Sequence, residues 1–390
     1  MFTRTLHLIV GLALLSFSAC QKDTAEKATV ETVDGVEYVH NPAEPLQPEA
    51  HVTFVEELVL GAEDESEEPM LYQPGPFAVD ALGRIFVADR SDQVIKVFDA
   101  DGRYLHAIGA KGRGPGEFLQ IVDLAFLPDG RLLVMDMGNR RTSQFTPEGE
   151  HLESCTWPGF LFRVLMSTDS SFTTEEMTMA PASREKWVKS LDFSCNEARS
   201  YGPFRPPEVS VKKQGKMAVA IGQPHAPSSI FAGDGQRQWL YHCFNNAYVI
   251  EVYDETGRLF RKIDRPYEPV PFTEKDKQAF LARFEKGDNP LFAQLAKEME
   301  FPEVKTVAAE LLVDDAGRLW VRTNETRDEK GGQATAYDVF DSDGYYLARV
   351  WSSVHPWLFS RSKMYSRVTD AETELPTIRR YRVEWQDAGS

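Results

Sequence analysis

Four times along this chain an extended segment ends in the same phrase: an aromatic residue, an acidic or polar residue, two more residues, then Gly. The copies are Phe98-Asp99-Ala100-Asp101-Gly102, Phe145-Thr146-Pro147-Glu148-Gly149, Tyr253-Asp254-Glu255-Thr256-Gly257 and Phe340-Asp341-Ser342-Asp343-Gly344. Each reads as a strand running into a tight turn, with Gly supplying a positive φ. A supersecondary unit repeated at intervals of this size is stacked upon itself, and that narrows the architecture before any single residue is weighed.

The first two units align at a constant offset of 47 residues: Ala78 on Ala125, Gly83 on Gly130, Val87 on Val134, Asp89 on Asp136, Phe98 on Phe145 and Gly102 on Gly149. Each unit reads strand, turn, strand, loop, strand, turn, strand. Four antiparallel strands every 40–50 residues predict a propeller blade. Looser copies lie near 161–200, from about 229 to beyond Gly257, and from 307, where Asn324–Gly332 reads as a polar loop tip. The stretch 208–222 reads as half a blade. Strands at 363–369 and 378–385 are expected to pair with Val52–Leu60, so that one blade joins both ends of the chain and closes the ring. The expected fold is all-β, a six-bladed propeller with seven blades as the alternative. Within it Thr273–Glu300 breaks the strand pattern: Thr273 with Asp276 marks a helix start, and Ala279, Phe280, Leu281 and Phe284 make an apolar stripe. This predicts a short helical hairpin inserted at about 273–300. It packs on one face of the disc or serves as a lid or docking surface.

The chain begins with Arg4, an apolar run from Leu6 to Phe17, and Ser18-Ala19-Cys20. The run is shorter than the roughly 20 residues that span a bilayer, and fits a signal peptide over 1–19. Ser18-Ala19-Cys20 resembles the lipobox of bacterial lipoproteins, with Phe17 where Leu is usual. The resemblance implies lipidation of Cys20 and, with Gln21 next, an outer-membrane address. Residues 20–50 are polar and Pro-containing and read as a flexible tether; 51–387 would be the propeller. The formal charge is −17, which argues against nucleic acid and anionic headgroups as partners. No pattern specifies an oligomeric state. Cys155, Cys195 and Cys243 remain after Cys20: one disulfide and one thiol, or three thiols.

Asp136-Met137-Gly138-Asn139-Arg140-Arg141, followed by Phe145, resembles the core of an NHL repeat; Asp89-Arg90-Ser91-Asp92 matches it in part. The linking Gly112-Arg113-Gly114-Pro115-Gly116-Glu117-Phe118 resembles the blade junctions of bacterial six-bladed propeller lipoproteins related to NHL proteins. The resemblance implies the fold and leaves the activity open, because such propellers include binding scaffolds and enzymes.

The Gly-rich segment 109–118 lacks the Gly-Lys-Ser/Thr ending of a phosphate loop. It reads as an inter-blade crossover, on which Lys111 and Arg113 are the cations placed to meet an anion. Asn139, Arg140 and Arg141 would hold turn amides and link blades, or form a ligand-contacting ring on one face. Propeller hydrolases of the gluconolactonase and paraoxonase kind hold Ca²⁺ in the central channel, and Asp80, Asp123 and Asp314 fall near innermost strand ends, where oxygen ligands would be needed. His106 and His151 fall on outermost strands, which argues against a three-His zinc centre. No nucleophile motif is present. The sequence thus favours a lipid-anchored, non-catalytic envelope module that binds protein, peptide or glycan and needs no cofactor. The alternative is a metal-dependent hydrolase or lyase.

Overall fold

A computed structural model describes residues 27–48, 50–61, 71–179, 184–214, 217–285, 290–329, 332–370 and 374–386. The stretch 1–19, expected as a signal peptide, and Cys20 lie outside these residues. Six four-stranded antiparallel blades surround a central channel. Blade 1 runs from Pro74 to Ile108, blade 2 from Ile121 to Thr156, blade 3 from Phe160 to Phe204, blade 4 from Ser229 to Asp264 and blade 5 from Glu310 to Ser352. Blade 6 combines Leu358–Ser360, Lys363–Thr369 and Pro376–Gln386 with His51–Leu60 as its outermost strand. That last pairing runs from His51↔Gln386 to Leu60↔Ile378 and closes the ring.

The repeated phrase is a turn device. The Asp99 carboxylate accepts the amides of Asp101 and Arg103, both at 2.9 Å. Asp254 does the same for Thr256 and Arg258, and Asp341 for Asp343 and Tyr345. The glycine between them sits at φ 90° in Gly102, 83° in Gly257 and 89° in Gly344, a region in which a side chain is strained. These turns join the third and fourth strands of their blades.

The second strands of blades 1 and 2, Ile85–Asp89 and Leu132–Asp136, are buried at every position, and those of the other blades are buried over their middle or opening residues. They are covered on both faces because each blade lies between two others. The apolar contacts divide accordingly, one cluster to a junction. Phe86, Ile95 and Val97 of blade 1 meet Leu124, Val134 and Phe145 of blade 2. Trp320 and Tyr337 of blade 5 meet Phe54, Phe359 and Trp385 of blade 6. At the junction of blades 4 and 5 the core holds a charge. Asp338 is fully buried and accepts from Tyr248 and Tyr346 hydroxyls, each at 2.7 Å, from Arg265 Nε at 3.0 Å and from Arg349 Nε at 2.9 Å. Full hydrogen bonding is what makes a buried carboxylate tolerable.

Three expectations change. Val209–Gln214 and Met217–Gly222 form a separate two-stranded hairpin rather than part of a seventh blade. Its Val219 and Ile221 pack on Leu291, Leu295 and Met299, beside the helices α1 (Glu274–Glu285) and α2 (Pro290–Glu298). Hairpin and helices thus share a small core of their own. Within blade 5 the segment expected as a polar loop tip continues the ladder, from Thr326↔Thr335 to Glu329↔Gly332.

The tether is the third change. Thr29–Val33 and Val36–His40 pair with each other, and the second strand adds in parallel to Leu259–Asp264, the outer strand of blade 4. Glu37 pairs with Arg261 at 2.6 Å, and His40 Nδ1 lies 2.9 Å from Asp264. The chain then crosses blade 5, where Leu46 and Gln47 amides donate to the carbonyls of Tyr346 and Leu347, before entering blade 6. An edge strand needs backbone partners more than apolar burial, so its composition reads as solvated.

Cys155, on the outer strand of blade 2, is disulfide-bonded to Cys195 in a turn of blade 3, 40 residues on; Cys243 is a buried thiol. Closing a loop of that length stabilises by about 4 kcal/mol in the chain-entropy treatment. The double variant C155A/C195A should therefore unfold at clearly lower urea concentration than the parent. Reductant should lower the parent's midpoint and leave the variant's unchanged.

Candidate functional site

The innermost strands of all six blades face the channel, and a cavity of about 780 Å³ opens where those strands begin. At this end the blade-to-blade connections also lie. Its floor is apolar, with Val79, Leu165, Ala232 and Val313 among the lining residues. Its mouth carries Arg90, Phe162, Arg163, Glu175, Lys186, Glu310 and Trp357.

Most of these charges are already matched. Glu175 lies in the second strand of blade 3, Ser171–Met179, and bridges Arg163 Nε at 2.6 Å and Lys186 Nζ at 2.7 Å. Lys186 also donates to the Ser229 carbonyl at 2.9 Å, and Arg163 to the carbonyl of Phe231, tying blade 3 to blade 4. Burial works to raise the Glu175 carboxyl, but the charges and hydrogen bonds of Arg163 and Lys186 outweigh it and hold it below its ordinary value. Glu310, opening blade 5, lies 3.1 Å from His355 Nε2 and 3.4 Å from Arg322. The His355 Nδ1 is 2.8 Å from the Tyr337 hydroxyl.

Asp123 stands apart. It projects from the innermost strand of blade 2, where its Oδ2 accepts the Val164 amide at 2.6 Å. The channel walls enclose it, and desolvation pushes its carboxyl up to about 7 despite the Val164 and Leu124 amides and the Arg163 charge. Two aromatic side chains complete the rim, Phe162 at 38% and Trp357 at 39% exposure.

The residues proposed from sequence are distributed differently. Asp80 and Asp314 belong to the same turn device as Asp99, here joining first and second strands. Asp80 accepts the amides of Leu82 and Arg84 and pairs with Arg84 Nε at 2.6 Å. Asp314 accepts those of Ala316 and Arg318, pairs with Arg318 Nε at 2.7 Å and takes the Trp320 indole N–H at 3.0 Å. Neither lines the cavity. Asp80, Asp123 and Asp314 therefore do not converge as a calcium ring: two of the three carboxylates close turns. Among the described residues no group of three His, Cys, Asp or Glu side chains is placed to hold a metal ion.

The blade-2 pattern serves the crossover. Asp136 accepts the amides of Leu119 and Gln120 and the Asn139 Nδ2. Asn139 also donates to the Gly112 carbonyl at 3.0 Å, and Arg141 to those of Arg113, Gly114 and Glu117. Lys111 and Arg113 project from this loop, exposed, and Arg140 stacks on Phe160 at 5.6 Å. None of the five lines the channel cavity. The mouth residues Arg90, Phe162, Arg163, Glu175, Lys186 and Trp357 were missed. One signal was present: Glu175-Glu176 inside a strand-like run, with Lys186 in the next strand, puts adjacent acids on opposite, enclosed faces.

With this geometry in place, comparison with known proteins bears on the fold. The family model DUF5128, described as a 6-bladed beta-propeller, matches residues 78–170, most of blade 1, all of blade 2 and the opening of blade 3. No curated protein sequence matches the chain. A member of the DUF4221 family from Bacteroides vulgatus is 11% identical, with a TM-score of 0.55 over 87% of this chain and 99% of its own. A protein from Bacteroides fragilis, also 11% identical, aligns over 90% of this chain and all of its own with a TM-score of 0.52. At such identities the likeness is one of fold. The chain is an all-β, six-bladed propeller, with two short helices among the described residues.

The raised Asp123 carboxyl makes a pH prediction. The folded protein keeps a proton between pH 4 and 7 that the unfolded chain has lost, so this group's contribution to stability falls as pH rises through that window. In D123N the amide oxygen still accepts from Val164 and nothing titrates. The variant should match the parent in urea unfolding at pH 4 and exceed it by up to about 4 kcal/mol at pH 8.

Proposed function

We propose that this chain is a lipid-anchored binding module of the cell envelope, without catalysis or a bound metal. It takes a segment of a protein, peptide or glycan at the mouth of its channel. The observation that carries this reading is the cavity of about 780 Å³ with Phe162 and Trp357 exposed on its rim. Apolar side chains held out at the edge of a concave, pre-formed site favour a ligand that covers them. Arg163, Glu175 and Lys186 support the same reading, because they are bound to one another and to backbone, which suits a rigid wall better than a reacting group.

The address rests on the sequence: the apolar run Leu6–Phe17 and the lipobox-like Ser18-Ala19-Cys20. If Cys20 is acylated, few residues separate the anchor from the strand pair that begins at Thr29 on the blade 4 edge. That edge would then sit close to the membrane, nearer than a tether reaching residue 50 would allow. In cells fed alkyne-palmitate, the parent should incorporate label and fractionate with outer membrane, and C20S should do neither.

The alternative, a hydrolase or lyase with Ca²⁺ in the channel, draws on Asp123 alone. A carboxyl pushed up to about 7 in a cleft is suited to proton transfer. Elemental analysis of the purified protein separates the two. Stoichiometric Ca²⁺ that disappears in D123A would replace the first reading by the second.

For binding, the parent and F162S/W357S should be compared as baits in envelope extracts and glycan fractions. The expected result is a partner retained by the parent and lost by the variant, with both equally folded by circular dichroism. Identical retention, or none by the parent, would sink the proposal.

A further inference from the structure

Two arginines, Arg90 at the channel mouth and Arg367 beside it, stand outside its ion-pair network. Arg90 follows Asp89 at the end of the second strand of blade 1, and its amide donates to the Gln73 carbonyl at 2.9 Å. Its side chain lies against the bare backbone of Gly75, where an added Cβ would come within 2.9 Å of the guanidinium Nε. Arg367 arrives from blade 6, in the strand Lys363–Thr369. It donates to the Pro74 carbonyl at 3.2 Å and lies over the Trp357 indole at 4.8 Å. Both arginines thus hold the one stretch 73–75 from adjoining blades, and both are exposed.

They line a shallow groove of about 470 Å³ with Tyr72, Gln73 and Thr369, and among the described residues no acidic side chain lines it. Nearby acids are committed elsewhere, Asp89 to Lys96 at 2.8 Å and Asp370 to Arg379 at 2.6 Å. Among the described residues neither arginine has a carboxylate within ion-pair distance. They are near enough for desolvation and the Arg90 charge together to depress the Arg367 guanidinium. Two adjoining like charges without a counter-charge repel, and an anion between them relieves that cost. Arg90 lines both the groove and the channel cavity, so the two form one continuous surface.

We infer that Arg90 and Arg367 form a carboxylate-binding subsite. It takes an acidic side chain of a peptide whose neighbouring apolar side chains rest on Phe162 and Trp357. This rests on the binding reading above and names the ligand class. The planar guanidinium fork matches a carboxylate in two-point geometry. A glycan fits less well: Arg163, Glu175 and Lys186 are bound to one another and to backbone, which leaves these three fewer open partners for hydroxyls. With a net charge of −17 on the chain, the subsite suits a single carboxylate rather than an anionic run.

Fluorescence anisotropy on the full-length protein in detergent tests this with two labelled peptides, Gly-Phe-Glu-Phe-Leu-Gly amide and its Gln counterpart, and with trigalacturonate as the glycan arm. The Glu peptide should bind at least about tenfold more tightly than the Gln peptide. R90Q and R367Q should each bring the Glu peptide to the Gln peptide's affinity, and R258Q, on a distant turn, should leave the ratio intact. Because residues 63–68 are rich in acid, the peptides should also be measured on a chain with those acids neutralised, and discrimination there counts for the subsite. Equal affinity for the two peptides in both chains overturns the inference. If that shared binding is lost in F162S/W357S, the channel reading survives without the subsite. Preference for trigalacturonate overturns the peptide class, and binding of none of the three overturns the whole.

Discussion

A four-stranded twisted blade has two apolar faces and cannot bury both by itself. Arranging six blades in a ring gives each face a partner, and the rest of the molecule depends on that constraint. It accounts for the complete burial of Ile85–Asp89 and Leu132–Asp136 and for apolar clusters that divide by junction. It also accounts for the closing blade, in which His51–Leu60 joins strands more than three hundred residues away and removes an open sheet edge. Where a junction admits charge, as at Asp338, one oxygen takes its donors from the blade 4 side, Tyr248 and Arg265, and the other from blade 5, Tyr346 and Arg349.

The repeats are therefore mostly statements about turns and junctions. One carboxylate accepting two amides, with Gly between, recurs at Asp80, Asp99, Asp254, Asp314 and Asp341. The Asp136–Asn139–Arg141 pattern secures a crossover by the same means. Carboxylates repeated because turns require them are poor indicators of ligands. The channel mouth is built where the repeat is weakest: blade 3, whose similarity to the first two is slight, supplies Phe162, Arg163, Glu175 and Lys186. Departure from the repeat marks the site better than adherence does.

Additions to the disc cluster at its outer edges and on the face of the crossovers. The residues before blade 6 run along the edges of blades 4 and 5 through backbone hydrogen bonds. The hairpin 209–222 and the two helices form a minor core beside the disc, and the Cys155–Cys195 link joins blades 2 and 3. Each adds cohesion without altering the channel walls. The shape of the cavity is thus set by the six innermost strands, and its chemistry by the few side chains at their starting ends.

Much of the fold was legible in the sequence, because an Asp-x-x-Gly turn and an alternating strand are local devices that depend on their own few residues. The offset of the first two units, the closing strand 52–60 and the helical insertion all follow from such signals. The candidate site was mostly not legible. Arg90 and Arg367 lie nearly three hundred residues apart, and only ring closure sets both against residues 73–75. Asp123 reads like Asp80 and Asp314 in the chain, yet it faces the channel while they close turns. The edge strands before residue 50 look solvated because they gain backbone partners that no local pattern announces. The sequence by itself determined a repeated strand-and-turn unit, since that physics is short-ranged; only the tertiary structure decided which charges meet, which stay unmatched and which turn inward, since those follow from blades that are distant in the chain and adjacent in space.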